Sequence, residues 1–98
     1  MIVGFRDSWL EKFFVEDRPS RKVPTDLKDR LFRKLQLLDD AVSDPDLRTP
    51  PSNHFERLKG SLEGWHSIRV NDQWRLVFRW NGERGEASQV YLDDHSYR

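Results

Sequence analysis

The most constraining feature of the sequence is a pair of alternating apolar and polar runs, Trp65–Val70 and Trp74–Trp80, separated by the polar residues 71–73. This layout predicts a β-hairpin. Side chains alternate between the two faces of a strand, so the apolar residues of both runs must share one face. A two-residue loop breaks that match, whereas a three-residue loop pairs Ile68 with Leu76. We therefore expect the three-residue loop.

This register has a consequence for the opposite face of the hairpin. It places Arg69 directly opposite Arg75, and Arg79 lies further along the same face. Like charges opposite one another on a sheet are unfavourable by up to about 1 kcal/mol. The pattern has two interpretations: an anion binds between the arginines, or their side chains splay apart into solvent.

Two helices are predicted before the hairpin. Ser8 and Glu11 fit a capping box at the start of the first helix. The second helix begins at Pro24 and carries an apolar stripe at three- and four-residue intervals. The stripe consists of Leu27, Leu31, Leu35, Leu38 and Val42. The basic residues Arg30 and Arg33 occupy its other faces, where they either remain solvated or bind phosphates or acidic groups of a partner.

The remaining segments are assigned from turn residues and short apolar runs. Ile2–Phe5 is either a first strand or the lead into the first helix, and Asp44–Asn53, with three prolines, is an irregular surface connection. His54–Leu58 and Ala87–Leu92 are predicted strands on either side of the hairpin. Helices early and strands late favour an α+β fold. We expect a single domain, residues 1–98, with two N-terminal helices on a mainly antiparallel sheet of four to five strands.

Composition restricts the classes of protein to consider. The 98 residues contain seventeen basic and seventeen acidic side chains, so net charge does not indicate a nucleic-acid partner. The charge is uneven, because residues 18–34 hold seven basic and two acidic side chains. The chain has no cysteine, which fits a reducing compartment, and no apolar run approaches the ~18 residues of a membrane span. No secretory signal is present at the N-terminus, and we expect a cytoplasmic protein.

Groups able to transfer protons or bind phosphate are concentrated in the second half of the chain. They are His54, Glu56, Arg57 and Lys59 before the hairpin, His66, Arg69, Arg75 and Arg79 on it, and Asp93, Asp94 and His95 near the end. RNA cleavage needs a base for the 2′-hydroxyl, an acid for the departing 5′-oxygen, and cations for the charge that develops on phosphorus. This set of residues is compatible with that chemistry but does not single it out.

The sequence gives little or no sign of metalloenzymes, cysteine or serine hydrolases, or nucleotide-binding enzymes. A metal site could be drawn from His54, Glu56, Asp93 and His95, but the sequence lacks HExxH or comparable ligand spacing. It also lacks a cysteine nucleophile, a glycine-rich phosphate loop and a G-x-S-x-G motif. We therefore expect neither a metal nor a cofactor.

Several short motifs extend over nearly the whole chain. The N-terminus has the pattern I-x-x-F-x-x-x-x-L-x-x-F-F, and the second helix is rich in leucine. Leu58–Gly60 reads L-K-G, Ser67–Phe78 reads S-I-R-V-N-D-Q-W-R-L-V-F, and Asp93–His95 fits D-x-H. Together these motifs resemble the HigB-type toxins of the RelE superfamily. The N-D-Q-W-R-L block after L-K-G is the most specific part of this resemblance.

The resemblance implies a RelE-like fold and an endoribonuclease that cuts messenger RNA in the ribosomal A site without a metal. It also implies partners. A HigA-like antitoxin with a helix-turn-helix domain would hold the toxin inactive, so operator DNA would be contacted only indirectly, through that antitoxin. The ribosome and messenger RNA would be the other partners, in the cytoplasm.

Carried over residue by residue, the resemblance implies catalytic roles for four residues, Lys59, Arg75, Asp93 and His95, and Glu56 is a further catalytic candidate. Arg75, supported by Lys59, would stabilise the charge on phosphorus. His95 would be the general acid, with Glu56 or Asp93 as the base. RNA phosphates would be bound by Arg57, Arg69 and Arg79, together with Arg30 and Arg33 on the second helix.

The sequence departs from the family pattern at two positions. Glu56 stands where some relatives have a histidine, and Asp94 stands where some have a tyrosine. Because an aspartate cannot stack on a nucleobase, Tyr97 in the tail is the candidate for that contact. The departures leave two alternatives open. One is a protein that binds and regulates a partner without catalysis, and the other is an RNase that needs no ribosome.

Overall fold

The computed structural model of the chain describes residues 1–94, in which three helices precede an antiparallel sheet. The helices are α1 (Ser8–Val15), α2 (Lys28–Asp40) and α3 (Asp44–Arg48). The strands are β1 (Glu56–Arg57), β2 (Trp65–Arg69), β3 (Trp74–Asn81) and β4 (Glu86–Asp94). The four strands lie in the order β1-β2-β3-β4. The predicted α+β fold class is confirmed.

The hairpin of β2 and β3 has the predicted register. Ile68 is paired with Leu76, and the Val70 backbone N–H donates to the Trp74 carbonyl at 2.9 Å. The Asn71 side chain closes the three-residue loop, because its Oδ1 accepts from the backbone N–H groups of Gln73 and Trp74 at 2.9 and 2.8 Å. The observed register is therefore the one that buries the apolar residues of both strands on a single face.

The core lies between the helices and that face of the sheet. Its fully buried members include Leu10 from α1, Leu31, Leu35 and Leu38 from α2, and Ile68, Leu76 and Phe78 from the hairpin. Burying each such side chain stabilises the fold by roughly 1.5–3 kcal/mol. All of the leucines of the predicted α2 stripe are buried, which confirms the amphipathic character of that helix.

The N-terminal segment pairs with β4 through isolated parallel bridges, from Ile2 to Ala87 and from Phe5 to Val90. The Arg6 backbone N–H donates to the Val90 carbonyl at 2.9 Å. The segment therefore extends the edge of the sheet without forming a full strand. Its position brings Arg6 next to the C-terminal half of β4.

The predicted capping box at the start of α1 is wrong. Asp7, one residue earlier, is the N-cap, and the side chains make no capping hydrogen bond there. The Asp7 carboxylate instead accepts from the Arg6 guanidinium, with an Nη2–Oδ2 distance of 2.9 Å. The Leu10 and Glu11 N–H groups donate to the Asp7 backbone carbonyl, and the bond from Glu11 is the first i→i−4 hydrogen bond of the helix.

Val42 does not belong to the α2 stripe, contrary to the prediction. The helix ends at Asp40, and the Ala41 backbone is extended. The Val42 N–H donates to the Asp46 carboxylate at 2.9 Å, and its side chain is 70% exposed. The Asp46 carboxylate on α3 thus binds a backbone N–H of the connection between α2 and α3.

The segment from Asp44 to Asn53 is more ordered than predicted. It contains α3, with Pro45 in its first turn, and a 3-10 turn at Pro51–Asn53. Proline suits the start of a helix, so it promotes structure at this position. Leu47 and Asn53 are fully buried, and the Asn53 side-chain amide donates to the Leu47 carbonyl at 3.1 Å.

The strand predicted over His54–Leu58 is shorter in the structure. Only Glu56 and Arg57 are in β1. His54 has a φ of 45°, in the left-handed region, which interrupts an extended chain. The following residues Lys59–Leu62 turn away through a 3-10 turn at Gly60–Leu62.

A bulge in the pairing of β3 with β4 determines which side chains face away from the helices. Val77 is paired with Tyr91 and Arg79 with Ser88, so β4 has one extra residue in this interval. Gln89 within it has a φ of 53°. Beyond the bulge, Tyr91 and Asp93 lie on the face opposite the core.

Candidate functional site

The face of the sheet turned away from the helices, here the helix-free face, carries three rows of side chains. Residues paired across neighbouring strands share a face, so the register defines each row. The rows are Arg69, Arg75 and Asp93; then Glu56, Ser67, Val77 and Tyr91; then Trp65 and Arg79. Three of the predicted catalytic residues, Glu56, Arg75 and Asp93, therefore lie on one surface.

Arg75 is the centre of this face and is only 7% exposed. Its Nε donates to the Ser67 hydroxyl at 2.9 Å, and its Nη2 donates to the His54 carbonyl at 2.6 Å. Glu56 is its ionic partner, with an Nη2–Oε2 distance of 3.8 Å. The left-handed turn at His54 thus supplies an acceptor that holds the guanidinium in one orientation.

The carboxylates on either side of Arg75 differ in position. Glu56, on the edge strand β1, has a side chain that is 44% exposed and accessible to a substrate. Asp93 is half-buried on β4 and is paired in register with Arg75 on β3. The arrangement places a fixed cation between two acidic groups, a combination suited to proton transfer beside a stabilised anion.

The other two predicted catalytic residues are Lys59 and His95. Lys59 is exposed just before the 3-10 turn. His95 lies outside the described residues, as does Tyr97. The predicted meeting of Arg75 with His95 therefore stays a prediction, and so do the role of Lys59 and the stacking role of Tyr97.

The arginines opposite one another on β2 and β3 have acidic partners within the protein. Arg69 pairs with Asp72 in the hairpin loop, and Arg75 pairs with Glu56. These partners offset the repulsion between the two guanidinium groups. The register alone therefore does not require an external anion between them.

Arg57 is separated from the other predicted RNA-binding arginines on the sheet. It is paired with His66, which lies on the core side of the sheet next to Phe78. The His66 ring stacks on Phe55 with centroids 5.2 Å apart, and its Nδ1 is buried without a hydrogen-bond partner among the described residues. Burial lowers the pKa of His66, and the charge of Arg57 lowers it further. This histidine is a packing residue.

The predicted RNA-binding residues of α2 meet one of the hairpin arginines. Arg30, Arg33 and Lys34 line a cleft of about 340 Å³ together with Arg69. Burial lowers the pKa of Lys34, and the charges of the three arginines lower it further. The Lys34 ammonium donates to the buried Asn53 side chain, which anchors it in the wall of this basic cleft.

A stack of cations and aromatic rings on the helix-free face was not predicted from the sequence. The Arg6 guanidinium carbon is 3.7 Å from the centroid of the Tyr91 ring, and Tyr91 contacts Trp65 edge to face at 5.8 Å. Arg79 lies over Trp65 at 4.9 Å. Strand alternation could have placed Tyr91 and Trp65 on this face, but no local pattern brings residue 6 to residue 91.

The structure also bears on metal binding and membrane insertion. Within residues 1–94, no group of three or more histidine, aspartate and glutamate side chains is arranged to hold a metal ion. Each helix in that part of the chain is too short or too polar to cross a lipid bilayer.

Comparison with known proteins identifies the family. The family model described as the RelE-like toxin HigB of type II toxin–antitoxin systems matches residues 3–95. The chain is 50% identical to Toxin HigB-1 of Vibrio cholerae over 97 residues, which cover 99% of this chain and all of that protein. It is 40% identical to an uncharacterized protein of Haemophilus influenzae, over 95% of this chain and 90% of that protein.

A solved structure supports the fold. The YoeB/ParE toxin from Agrobacterium tumefaciens aligns with a TM-score of 0.52 and 24% identity, covering 94% of this chain and 96% of that one. The match extends across the helices and the sheet, and it is evidence for the fold alone. The family model and the Vibrio cholerae relative lead to one conclusion: the chain belongs to the HigB family of RelE-like toxins of type II toxin–antitoxin systems.

Proposed function

We propose that this toxin is an endoribonuclease that cleaves messenger RNA in the ribosomal A site and so inhibits translation. The observation that carries the proposal is the placement of Glu56, Arg75 and Asp93 on the helix-free face, with Arg75 between the two carboxylates. Family membership supports a toxic activity, and this group of side chains supports acid–base cleavage of a phosphodiester as its chemistry.

In this mechanism Arg75 stabilises the negative charge that develops on phosphorus. Its hydrogen bonds to Ser67 and His54 hold the guanidinium before the substrate arrives, so little reorganisation is needed in the transition state. Removing one such donor from an enzyme typically lowers the rate by ~10²–10³-fold. Lys59 contributes a second cation.

The proton transfers are assigned to the residues around Arg75. Glu56 or Asp93 takes the proton from the attacking 2′-hydroxyl, and Glu56 is the more exposed of these carboxylates. His95 is the proposed acid for the departing 5′-oxygen. Each transfer contributes typically ~10²–10⁴-fold to the rate.

Binding of the RNA backbone is assigned to cations outside this central group. Arg69, Arg30 and Arg33 meet in the basic cleft, whereas Arg79 lies on the helix-free face and Arg57 on the opposite side of the sheet. The phosphates of messenger or ribosomal RNA are their proposed ligands. A HigA-like antitoxin is the proposed partner that restrains the toxin, and action on ribosomes implies a cytoplasmic site.

Expression of the toxin without its antitoxin tests the proposal in cells. The parent protein should arrest growth and produce cleaved messenger RNA, whereas Arg75→Ala should relieve the arrest. Because Arg75 is buried, antitoxin binding by Arg75→Ala serves as the control for folding. An Arg75→Ala variant that binds the antitoxin and remains fully toxic would reject the role of this arginine.

A second candidate function is a toxin that acts by binding a partner, without cleaving RNA. The protein contacts of Arg75 favour it, since a buried arginine with a carboxylate and a carbonyl as partners also suits a structural role. Growth arrest with intact messenger RNA would support this candidate. Cleavage of naked RNA in buffer would instead indicate an RNase that needs no ribosome.

A further inference from the structure

The Arg6 side chain is held in one plane by two neighbours. Its guanidinium covers the Tyr91 ring at 3.7 Å, and the Asp7 carboxylate accepts hydrogen bonds along its edge, from Nη2 at 2.9 Å and from Nε at 3.2 Å. The hydrogen bond to Asp7 is the largest of the effects that raise the pKa of Arg6. The conformation of this cation is therefore fixed before any ligand binds.

About half of the Arg6 side chain is accessible to solvent. Tyr91 is 9% exposed beneath it, whereas the Arg6 side chain is 51% exposed. A planar cation that rests on a ring on one side and faces solvent on the other is a ready surface for a second flat group. Arginine planes and aromatic rings are the usual stacking partners of unpaired RNA bases.

This surface lies next to the proposed catalytic residues. Tyr91 and Asp93 are two residues apart on β4 and point to the same face, and Tyr91 is paired with Val77, between Arg75 and Arg79. The charge of Asp93 raises the pKa of both Arg6 and Tyr91, so the three groups are within electrostatic range. A nucleotide whose phosphate is bound at Arg75 would have a neighbouring base within reach of Arg6.

At the other end of the stack, Arg79 lies over Trp65 and has fewer contacts within residues 1–94 that fix its position. Arg79 lies 4.9 Å from the Trp65 centroid and has no acidic partner among the described residues. Its guanidinium is thus held less closely than that of Arg6. We expect Arg79 to contribute charge, which is independent of the identity of the base, whereas a flat, fixed surface favours the bases that stack most strongly.

We propose that Arg6, held between Asp7 and Tyr91, stacks on a nucleobase of single-stranded RNA beside the cleaved phosphate and sets the base preference at that position. The proposal rests on the RNase function proposed above. It assigns substrate contact to a residue of the N-terminal segment, outside the hairpin and the C-terminal strand.

The test compares cleavage maps of one messenger RNA on ribosomes for the parent protein, Arg6→Ala and Arg6→Lys. Arg6→Ala should cut the preferred sites about tenfold more slowly than the parent, relative to the remaining sites in the same RNA. Arg6→Lys should behave similarly, because an ammonium group keeps the charge but has no planar face. Ratios between sites in one sample do not depend on the fraction of folded protein.

Arg18→Ala is the matched control, since Arg18 is an exposed arginine paired with Glu16 and stacks on no ring of residues 1–94. Its map should equal that of the parent. Three outcomes would overturn the stacking proposal while leaving the proposed RNase function intact. Arg6→Ala could give the same map as the parent protein, it could lose activity equally at all sites, or Arg6→Lys could restore the parent map in full. A parent protein that cuts no RNA would contradict the proposed function, and the stacking proposal with it.

Discussion

Arg75 illustrates how a single residue can connect stability with function. Its guanidinium is almost completely buried, yet Ser67, the His54 carbonyl and Glu56 provide partners that offset the cost of burying a charge. In the proposed mechanism, the same partners would keep the cation in place for an anionic transition state. A functional cation and a structural cation are therefore compatible at this position.

His66 is expected to make the stability of the protein depend on pH. Burial keeps its folded-state pKa below the ordinary value of about 6.5, so the unfolded chain takes up a proton first as the pH falls. The free energy of unfolding should therefore decrease as the pH drops below about 6.5. Arg57 adds to this effect and Asp44 opposes it.

Urea unfolding at pH 7.5 and at pH 5.5 measures this effect. His66→Phe should lose less stability than the parent between the two pH values, because phenylalanine can stack on Phe55 without gaining a charge. Identical losses for the two proteins would contradict the role given to His66.

Alternation along the strands predicts much of the site at the residue scale. It correctly placed Arg69, Arg75 and Arg79 on one face of the hairpin. The same rule places the adjacent residues Glu56 and Arg57 on opposite faces, which separates Arg57 from the arginines of the hairpin. Acidic partners of the arginines, such as Asp72, depend on side-chain conformations that a sequence pattern does not contain.

At the scale of elements, the hairpin was predictable because only one register buries all of its apolar residues. The connection from Asp44 to Asn53 was not, because its structure depends on distant partners. The buried Asn53 side chain donates there to the Leu47 and Thr49 carbonyls and accepts from Lys34 of α2. A short polar segment without periodicity gives no sign of such contacts.

Gly85 is expected to be essential for the turn between β3 and β4. Its φ is +66°, and a Cβ atom there would lie 2.5 Å from the Val42 carbonyl oxygen. Gly85→Ala combines backbone strain with a backbone clash and should cost about 2–4 kcal/mol in urea unfolding. Gly60→Ala is the matched control, since Gly60 has a φ of +68° with open space around its Cβ position. Equal costs for the two variants would contradict this account.

At the scale of the whole molecule, the zero net charge conceals a local concentration of cations. Arg30, Arg33, Lys34 and Arg69 meet in the basic cleft although α2 and the hairpin are far apart in sequence. Periodicity indicated that the arginines of α2 were exposed, but only the tertiary fold brings them to Arg69. The contact between Arg6 and Tyr91 has the same origin.

The basic cleft should make ribosome binding depend on salt. Each arginine that binds one RNA phosphate makes the slope of log K, where K is the ribosome-binding constant, against log salt concentration more negative by roughly 0.7–0.9. Arg30→Gln and Arg33→Gln should each make the slope less negative by that amount, whereas Arg21→Gln, which changes an exposed arginine outside the cleft, should not. Parental slopes for both cleft variants would exclude phosphate binding at the cleft.

The most direct test of the proposed active site is the rate at which purified toxin cleaves messenger RNA on programmed ribosomes. Glu56→Gln and Asp93→Asn each remove a candidate base on the helix-free face, and Glu11→Gln removes an exposed carboxylate on α1 as the control. We predict that at least one of the first two variants is slower than the parent by ~10²–10⁴-fold, with the control unchanged. Parental rates for both Glu56→Gln and Asp93→Asn would contradict the assignment of RNA cleavage to this face.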